Sequence, residues 1–357
     1  MTLKLLPLDQ WPSADRQAWE CAIRSGNCLE DGGPASHWAE RTKRTILFDY
    51  RRWLGHLHHA DPDVLDLAPA DRVTENRIRI YVAMLQATIK PSGTHNYIKH
   101  LFDAVRVMHP GLDWRWLSEV ARRLEQLVTP RNKRPRMVSS HELDALGRRL
   151  MEEANRATEL RALQRAILYR DGLMIALLAA RPLRRRNYAG IVIGQNLIKS
   201  GDGYHLCFGA EETKTHTALE FPFPDDLVME LEHYLDTYRN AFPGADNHDN
   251  LWASAKGVPL GEDAIYSRIT KHTKEAFGKS VNPHLFRDCV ATTIAIEDPE
   301  HVGIAADLLG HTSLEFTQTH YIQADTIRAS QSYHSSIKAL RQQLSKAAHE
   351  RQNQERR

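Results

Sequence analysis

The chain has 357 residues, a length that suits two domains at ~100–200 residues each. Hydrophobic residues make up 42% and charged residues 26%, as in ordinary globular proteins, which excludes disorder over the whole length. The 47 Lys and Arg residues and the 45 Asp and Glu residues give a formal net charge of +2, which argues against a histone-like binder. This balance does not exclude an enzyme that acts on nucleic acids, because phosphate affinity depends on where the basic residues lie.

Neither a membrane span nor a secretory signal is expected. The longest apolar run, residues 173–180, is far shorter than the ~20 residues that a membrane helix needs. The first residues, MTLKLLPLDQW, contain no apolar h-region. The four cysteines form no CxxC pair, so we expect reduced thiols in a cytoplasm rather than a zinc site or a disulfide framework.

The first third of the sequence predicts helices. Apolar residues recur at helical spacing in four stretches, residues 37–54, 74–89, 94–108 and 114–127. In the first stretch an apolar arc faces a basic arc that consists of Arg41, Arg44, Arg51 and Arg52. This basic arc is either a solvated face or a face that contacts phosphates.

A basic segment then separates two regions of different composition. Residues 129–136 read TPRNKRPR and hold two prolines, which disfavour helix, together with the basic residues Arg131, Lys133, Arg134 and Arg136. We interpret residues 129–138 as a domain linker, which is either solvated or lies along a phosphate backbone. A capping box formed by Ser139 and Glu142 marks the start of the next domain.

The second domain predicts an α+β fold, mainly α with a small antiparallel sheet. Helices are expected at residues 140–150, 163–180, 225–242, 262–277, 283–296, 299–309 and 326–344. Strand-like pieces are expected at residues 191–193, 204–208, 219–223 and 251–253, with a turn at 201–203. Residues 346–357 have no apolar periodicity and are expected to be disordered.

Six polar residues in this second domain form an ordered set, namely Arg184, Lys214, His284, Arg287, His311 and Tyr321. Each one taken alone has an ordinary structural explanation. A lone histidine is usually satisfied by its surroundings, a hairpin lysine is usually solvated, and a tyrosine usually packs. The order Arg, Lys, His-x-x-Arg, Gly-His, Tyr is far more specific than any one of its members.

This set resembles the tyrosine recombinase (phage integrase) family. The motifs cover residues 139–325, whereas residues 1–128 match only in layout, as a helical core-binding domain that completes a two-domain DNA clamp. Arg184 matches the family's first catalytic arginine, although Asn187 stands where the family has an acidic residue, and Arg181 is the competing assignment. Tyr321 follows His311 by ten residues, whereas a nine-residue spacing would fall on His320.

The residue types fit phosphodiester chemistry without a cofactor or a metal. Two arginines can hold the non-bridging oxygens and stabilise the transition state. A tyrosine is a nucleophile that needs a base, for which His284 is suited, while Lys214 suits a general acid and His311 a hydrogen-bond donor. His284 and Arg287 share one face of a helix that Pro283 can begin.

The resemblance implies double-stranded DNA recombination sites as partners. It also implies a monomer or dimer that becomes a homotetramer on two sites, accessory DNA-bending proteins in some systems, and a cytoplasmic, nucleoid-associated location. It makes the basic arc and the linker candidates for DNA contact. The last helix, residues 326–345, carries an apolar stripe that packs either on its own domain or on a neighbour.

Three other functions compete with recombination. A type IB topoisomerase uses a similar set, but that family typically has lysine where His284 stands. A telomere resolvase is a more distant enzyme alternative. A non-catalytic DNA-binding regulator is disfavoured because all six polar positions are filled. A metal site at His56, His58 and His59 is disfavoured because His58 and His59 are adjacent and no cysteine partner lies at helical spacing.

Overall fold

The computed structural model describes residues 5–129, 132–213 and 216–297. Its chain divides into two units, Met1–Arg131 and Asn132–Arg357. The fold is mainly helical with a three-stranded antiparallel sheet, which confirms the expected fold class. None of the helices in the described ranges is long and apolar enough to cross a membrane. The elements expected beyond residue 297, including the last helix and the tail, lie outside the described residues.

Five α-helices form the first unit: α1 Ser13–Ile23, α2 Glu40–Ala60, α3 Glu75–Thr88, α4 Pro91–Met108 and α5 Arg115–Gln126. The sequence did not predict α1. Helix α4 begins at Pro91, before the expected start at Thr94, because proline is well suited to the first helical position. Thr74 caps α3 by accepting a hydrogen bond from the Arg77 amide.

The apolar arc of α2 forms the centre of the first unit's core, where Tyr50, Trp53 and Leu54 are fully buried. A buried carboxylate fastens this helix to its neighbours. Asp15 of α1 accepts a hydrogen bond of 2.6 Å from the Tyr50 hydroxyl and another of 2.6 Å from Arg72 Nη1. Because a buried charge must be paired, this contact fixes α1 against α2.

The α-helices of the second unit are α6 Ser140–Arg156, α7 Ala162–Ala180, α8 Arg185–Ala189, α9 Val228–His233, α10 Glu262–Phe277 and α11 Pro283–Glu297. The predicted capping box is present, since the Glu142 amide donates to Ser139 Oγ and the Ser139 amide donates to the Glu142 carboxylate. Helix α7 lies in the centre of the core, where its residues from Leu173 to Leu178 are all fully buried.

The sheet consists of β1 Leu197–Ser200, β2 Gly203–Phe208 and β3 Leu219–Pro222 in that order. Leu197 pairs with Leu206, and Phe208 pairs with Leu219. The expected strand at 191–193 is wrong, because this piece makes only isolated bridges. Gly194 has a φ of +81° and the Val192 carbonyl accepts the Asn196 amide, so the chain turns there before β1 begins.

The helix expected over residues 225–242 is broken into shorter pieces. Helix α9 continues into a π-helical turn, Tyr234–Tyr238, which is followed by a 3₁₀ turn, Arg239–Ala241. The wide turn places two tyrosines in the core. Tyr234 donates to the Leu251 carbonyl at 3.2 Å, and the Tyr238 ring stacks on Tyr169 with ring centres 4.3 Å apart.

A buried carboxylate also ties α7 to α10. Asp171 is completely buried and accepts hydrogen bonds from Arg170 of its own helix and from Arg268 and His272 of α10. These partners hold the pKa of Asp171 below its usual value although burial acts in the opposite direction.

Helices α6 and α7 cross at two glycines. A Cβ atom on Gly172 would lie 2.6 Å from the Gly147 carbonyl oxygen, and one on Gly147 would lie 2.6 Å from the Gly172 carbonyl oxygen. Both obstacles are backbone atoms, so the helices could accept a side chain there only by moving apart.

We therefore expect Gly172→Ala to lower the free energy of unfolding of the second unit by about 1–3 kcal/mol, the usual effect of overpacking. Urea unfolding measures this change. Gly203→Ala is the matched control because a Cβ at Gly203 meets nothing within 4 Å, and its φ is not positive. Equal stability of the two variants would contradict a tight helix crossing.

Candidate active site

The turn between α7 and α8 carries the first candidate residue. Arg184 occupies the N-cap position of α8 and its side chain is half-buried. The next helix is fixed through Tyr188, whose hydroxyl donates to the Met174 carbonyl at 2.7 Å. The Tyr188 carbonyl in turn accepts a 2.9 Å hydrogen bond from the Trp252 indole. Packing of α8 into the core therefore sets the position of Arg184.

Helix α11 carries the next two candidates. It begins at Pro283, as the sequence predicts, and the Asn282 carboxamide oxygen accepts the Leu285 amide at 3.0 Å, a cap that we did not predict. Arg287 is only 6% exposed and donates from Nη1 to the Pro182 carbonyl at 2.6 Å. This hydrogen bond brings the start of α11 to the turn that bears Arg184.

The charges of these residues act on one another. Burial lowers the pKa of Arg287 to about 10, and the nearby charge of Arg184 contributes to this shift. Arg287 therefore remains a cation at neutral pH. Partial loss of hydration also lowers the pKa of His284, with smaller contributions from Lys133, Arg287 and Arg184. The structure thus gathers Arg184, His284 and Arg287 into one electrostatic cluster.

Arg181, the competing first arginine, has different surroundings. It donates to the Pro222 carbonyl at 3.1 Å and to the Ala180 carbonyl at 3.0 Å. Burial lowers its pKa, and Asp225 and Asp226 are the charges that oppose this effect. Arg181 fastens the end of α7 to β3, so the electrostatic contacts favour Arg184 as the partner of Arg287.

The other three candidates, Lys214, His311 and Tyr321, lie outside the described residues. The segment that leads to Lys214 is well anchored, however. Thr213 is buried, and its hydroxyl both donates to the Thr217 carbonyl at 2.8 Å and accepts the Thr217 amide at 3.1 Å. These two bonds join Thr213 and Thr217 across the β2–β3 connection.

Asn187 joins this connection to α8. Its carboxamide donates to the Glu212 carbonyl at 3.1 Å, and its side chain is largely buried. The Glu212 carboxylate also accepts the Gly209 amide at 2.7 Å and the Asn196 carboxamide at 3.0 Å. Asn187, which departs from the family motif, therefore links α8, the helix that follows Arg184, to the connection between β2 and β3. From the sequence alone, Asn187 is only a departure from the family motif.

The basic arc of α2 is divided in the structure. Arg41 and Arg44 are exposed near the start of the helix. Arg51 donates to the Leu6 carbonyl at 2.9 Å. The Arg52 guanidinium lies 4.9 Å from the centre of the Phe48 ring and 5.1 Å from that of Tyr97. The last two arginines thus have partners within the first unit.

The linker residues also differ among themselves. Arg134 is exposed, whereas Arg131 lies outside the described residues. Lys133 donates to the Asp288 carboxylate at 2.8 Å, and Arg136 donates to the Ser280 carbonyl at 2.7 Å from Nη2. At Lys133 and Arg136, the basic linker therefore contacts its own second unit, which neither of the two sequence interpretations anticipated.

Among the described residues, no three His, Cys, Asp or Glu side chains come together as metal ligands. His56, one of the three histidines considered for a metal site, packs against aromatic rings. Its ring centre lies 6.0 Å from that of Trp53 and 4.8 Å from that of Tyr81. Burial lowers the pKa of His56 in this setting.

Residues 147–328, just over half of the chain, match the model of the phage integrase family, and the chain belongs to this family. It is 26% identical over 154 residues to tyrosine recombinase XerD of Chlorobaculum tepidum, covering 43% of this chain and 48% of that protein. It is 28% identical over 158 residues to XerD of Pseudomonas aeruginosa, covering 43% and 51%. The chain thus spans about half the length of the curated relatives it matches.

Two solved structures share the fold. Both are XerH site-specific recombinase, one bound to difH substrate before cleavage and the other bound to palindromic difH substrate after cleavage. The first has a TM-score of 0.53 at 16% identity and covers 78% of this chain and 76% of its own. The second has a TM-score of 0.53 at 15% identity and covers 90% and 94%.

The Asn187 contact predicts a measurable effect on the β2–β3 connection. Asn187→Ala removes the bond to the Glu212 carbonyl, so amide hydrogen exchange at Gly209 and Thr217 should become about five- to tenfold faster. Gln195→Ala is the control because Gln195 is exposed in the neighbouring turn. Unchanged exchange in Asn187→Ala would show that this bond does not order the connection.

Proposed function

We propose that the chain is a site-specific recombinase that cleaves and rejoins DNA strands through a covalent 3′-phosphotyrosine intermediate. The observation that carries this proposal is the cluster of Arg184, His284 and Arg287, which the Arg287–Pro182 hydrogen bond assembles from two distant parts of the sequence. Membership of the phage integrase family supports the same reaction.

The two arginines supply the positive charge that phosphoryl transfer requires. Their planar guanidinium groups can each hold a non-bridging oxygen of the scissile phosphate. As negative charge accumulates in the pentacoordinate transition state, cations fixed in position stabilise it more than they stabilise the ground state. Arg287 lies near the start of α11, where helix amides also favour a phosphate.

The proton transfers assign the remaining roles. Tyr321 attacks the phosphorus, and its phenolic proton passes to His284, whose lowered pKa keeps the imidazole neutral at pH 7. The bond from phosphorus to the 5′-oxygen breaks as the phosphotyrosine bond forms, and Lys214 donates a proton to the leaving oxygen. His311 donates a hydrogen bond to a non-bridging oxygen. Because one phosphoester bond replaces another, rejoining needs no ATP.

The DNA substrate requires a second contact surface and an assembly. We assign residues 1–128 to a core-binding domain, 129–138 to the linker and 139–325 to the catalytic domain. Exposed Arg41, Arg44 and Arg134 are the described candidates for phosphate contacts. The XerH structures hold difH substrates, and we propose that this chain likewise acts on double-stranded sites, as a homotetramer in the cytoplasm, with residues 326–345 docking on a neighbour.

A nicked suicide substrate tests this function. DNA flanking the gene supplies candidate sites, and a nick beside the cleavage position lets the freed fragment diffuse away, so the covalent adduct accumulates. We expect an adduct with the wild-type chain and none with Tyr321→Phe, because phenylalanine has no nucleophilic oxygen. His320→Ala is the neighbouring control and should still form the adduct. An adduct in Tyr321→Phe would falsify the assignment of the nucleophile.

A further inference from the structure

An ion pair joins the linker to the helix that bears two proposed catalytic residues. Lys133 Nζ lies 2.8 Å from Asp288 Oδ2. The two side chains differ sharply in exposure, since 43% of the lysine and only 2% of the aspartate is accessible. A buried carboxylate is costly unless it is paired, so Asp288 depends on its partners for its charged state.

The linker is held at further points on the same surface. Arg136 donates twice to the Ser280 carbonyl, at 3.2 Å and 2.7 Å. Directly after the linker, the amide of Ser140 at the start of α6 donates to Thr293 Oγ1 of α11 at 3.1 Å. Lys133 is therefore not an isolated surface lysine. It belongs to a chain segment that runs along α11 and the turn before it.

Asp288 directly follows Arg287, and its charge reaches the proposed base. Four charged residues act on the pKa of His284. Asp288 has the largest effect of the four and raises this pKa, whereas Lys133, Arg287 and Arg184 lower it. Asp288 also acts on the Arg287 guanidinium, whose pKa it raises against the effect of burial. Both residues of the Lys133–Asp288 pair therefore act on His284, and Asp288 acts on Arg287 as well.

We propose that Lys133 and Asp288 are positioning residues of the reaction, and that the interdomain linker, through this ion pair, is part of the catalytic centre. The pair fixes α11 so that His284 and Arg287 face the scissile phosphate, and it balances the arginine charges around them. This inference rests on the proposed function for its consequence in catalysis. The pairing itself is a property of the free protein.

The first test measures the pKa of His284 without DNA, by NMR titration of histidine-labelled protein in which the His284 signal is assigned with His284→Gln. Lys133→Met should raise this pKa because a nearby cation is lost. Asp288→Asn should lower it because a nearby anion is lost. Lys133→Arg should leave it close to that of the wild type, since the charge is kept.

Lys271→Met is the matched control, because Lys271 is also a lysine in an ion pair, but its pair with Glu275 is exposed and lies within α10. It should leave the pKa of His284 unchanged. Shifts of opposite sign in Lys133→Met and Asp288→Asn support the proposal, because a purely structural loss gives no reason for opposite signs. Shifts of the same sign, or none in either variant, overturn it.

The second test measures single-turnover cleavage of the suicide substrate at saturating protein. Lys133→Met should cleave about 10- to 100-fold more slowly, because displacing the reacting groups by a fraction of an ångström has effects of this size. Lys271→Met should cleave at the wild-type rate. If Lys133→Met weakens DNA binding but cleaves normally once bound, Lys133 is a phosphate contact and the proposal is wrong.

The proposed function and the proposed role of the ion pair can be rejected independently of each other. If the wild-type chain forms no covalent adduct on any candidate site, the proposed function fails. The titration still decides the pairing in that case, because it needs neither DNA nor turnover.

Discussion

The hydrogen bond from Arg287 to the Pro182 carbonyl is the contact on which the candidate site depends. Its 2.6 Å length and the burial of the guanidinium fix the start of α11 against the turn between α7 and α8. One side chain thereby serves two purposes. Its Nη1 donates a hydrogen bond to a backbone carbonyl. Its charge also interacts with that of Arg184 and lowers the pKa of His284. This bond therefore joins the two segments that supply the proposed phosphate-binding groups.

A cluster of cations at the edge of a core must be offset by nearby carboxylates. Away from the site, Asp171 ties α7 to α10 by pairing with Arg268 and His272. Asp288 acts at the site itself and pairs with Lys133. The near-neutral net charge of the chain therefore does not show how individual basic groups are paired with specific acidic partners. We propose that phosphate affinity at the site depends on this arrangement and not on the total charge.

Sequence patterns predicted most of the helices because burial of an apolar face leaves a clear period, as in α2 and α10. They failed where tertiary contacts decide the backbone. Residues 191–193 are β-branched but turn at Gly194, and residues 225–242 look helical but widen into a π turn around Tyr234. The residue types predicted Arg184, His284 and Arg287 as site residues, and the structure brings these three together. The contacts of Asn187 and Asp288 could not be predicted, because their partners lie far away in sequence.

We propose that Arg184 and Arg287 together neutralise the charge of one phosphate, and cleavage of a methylphosphonate substrate tests this proposal. Replacing a non-bridging oxygen with a methyl group removes the negative charge that an arginine would balance. Arg184→Ala should cleave the normal phosphate poorly and recover at least part of its cleavage on the methylphosphonate, whereas Tyr321→Phe should recover none. If Arg184→Ala is equally impaired on both substrates, Arg184 does not act by neutralising the phosphate, and the account of the site is wrong.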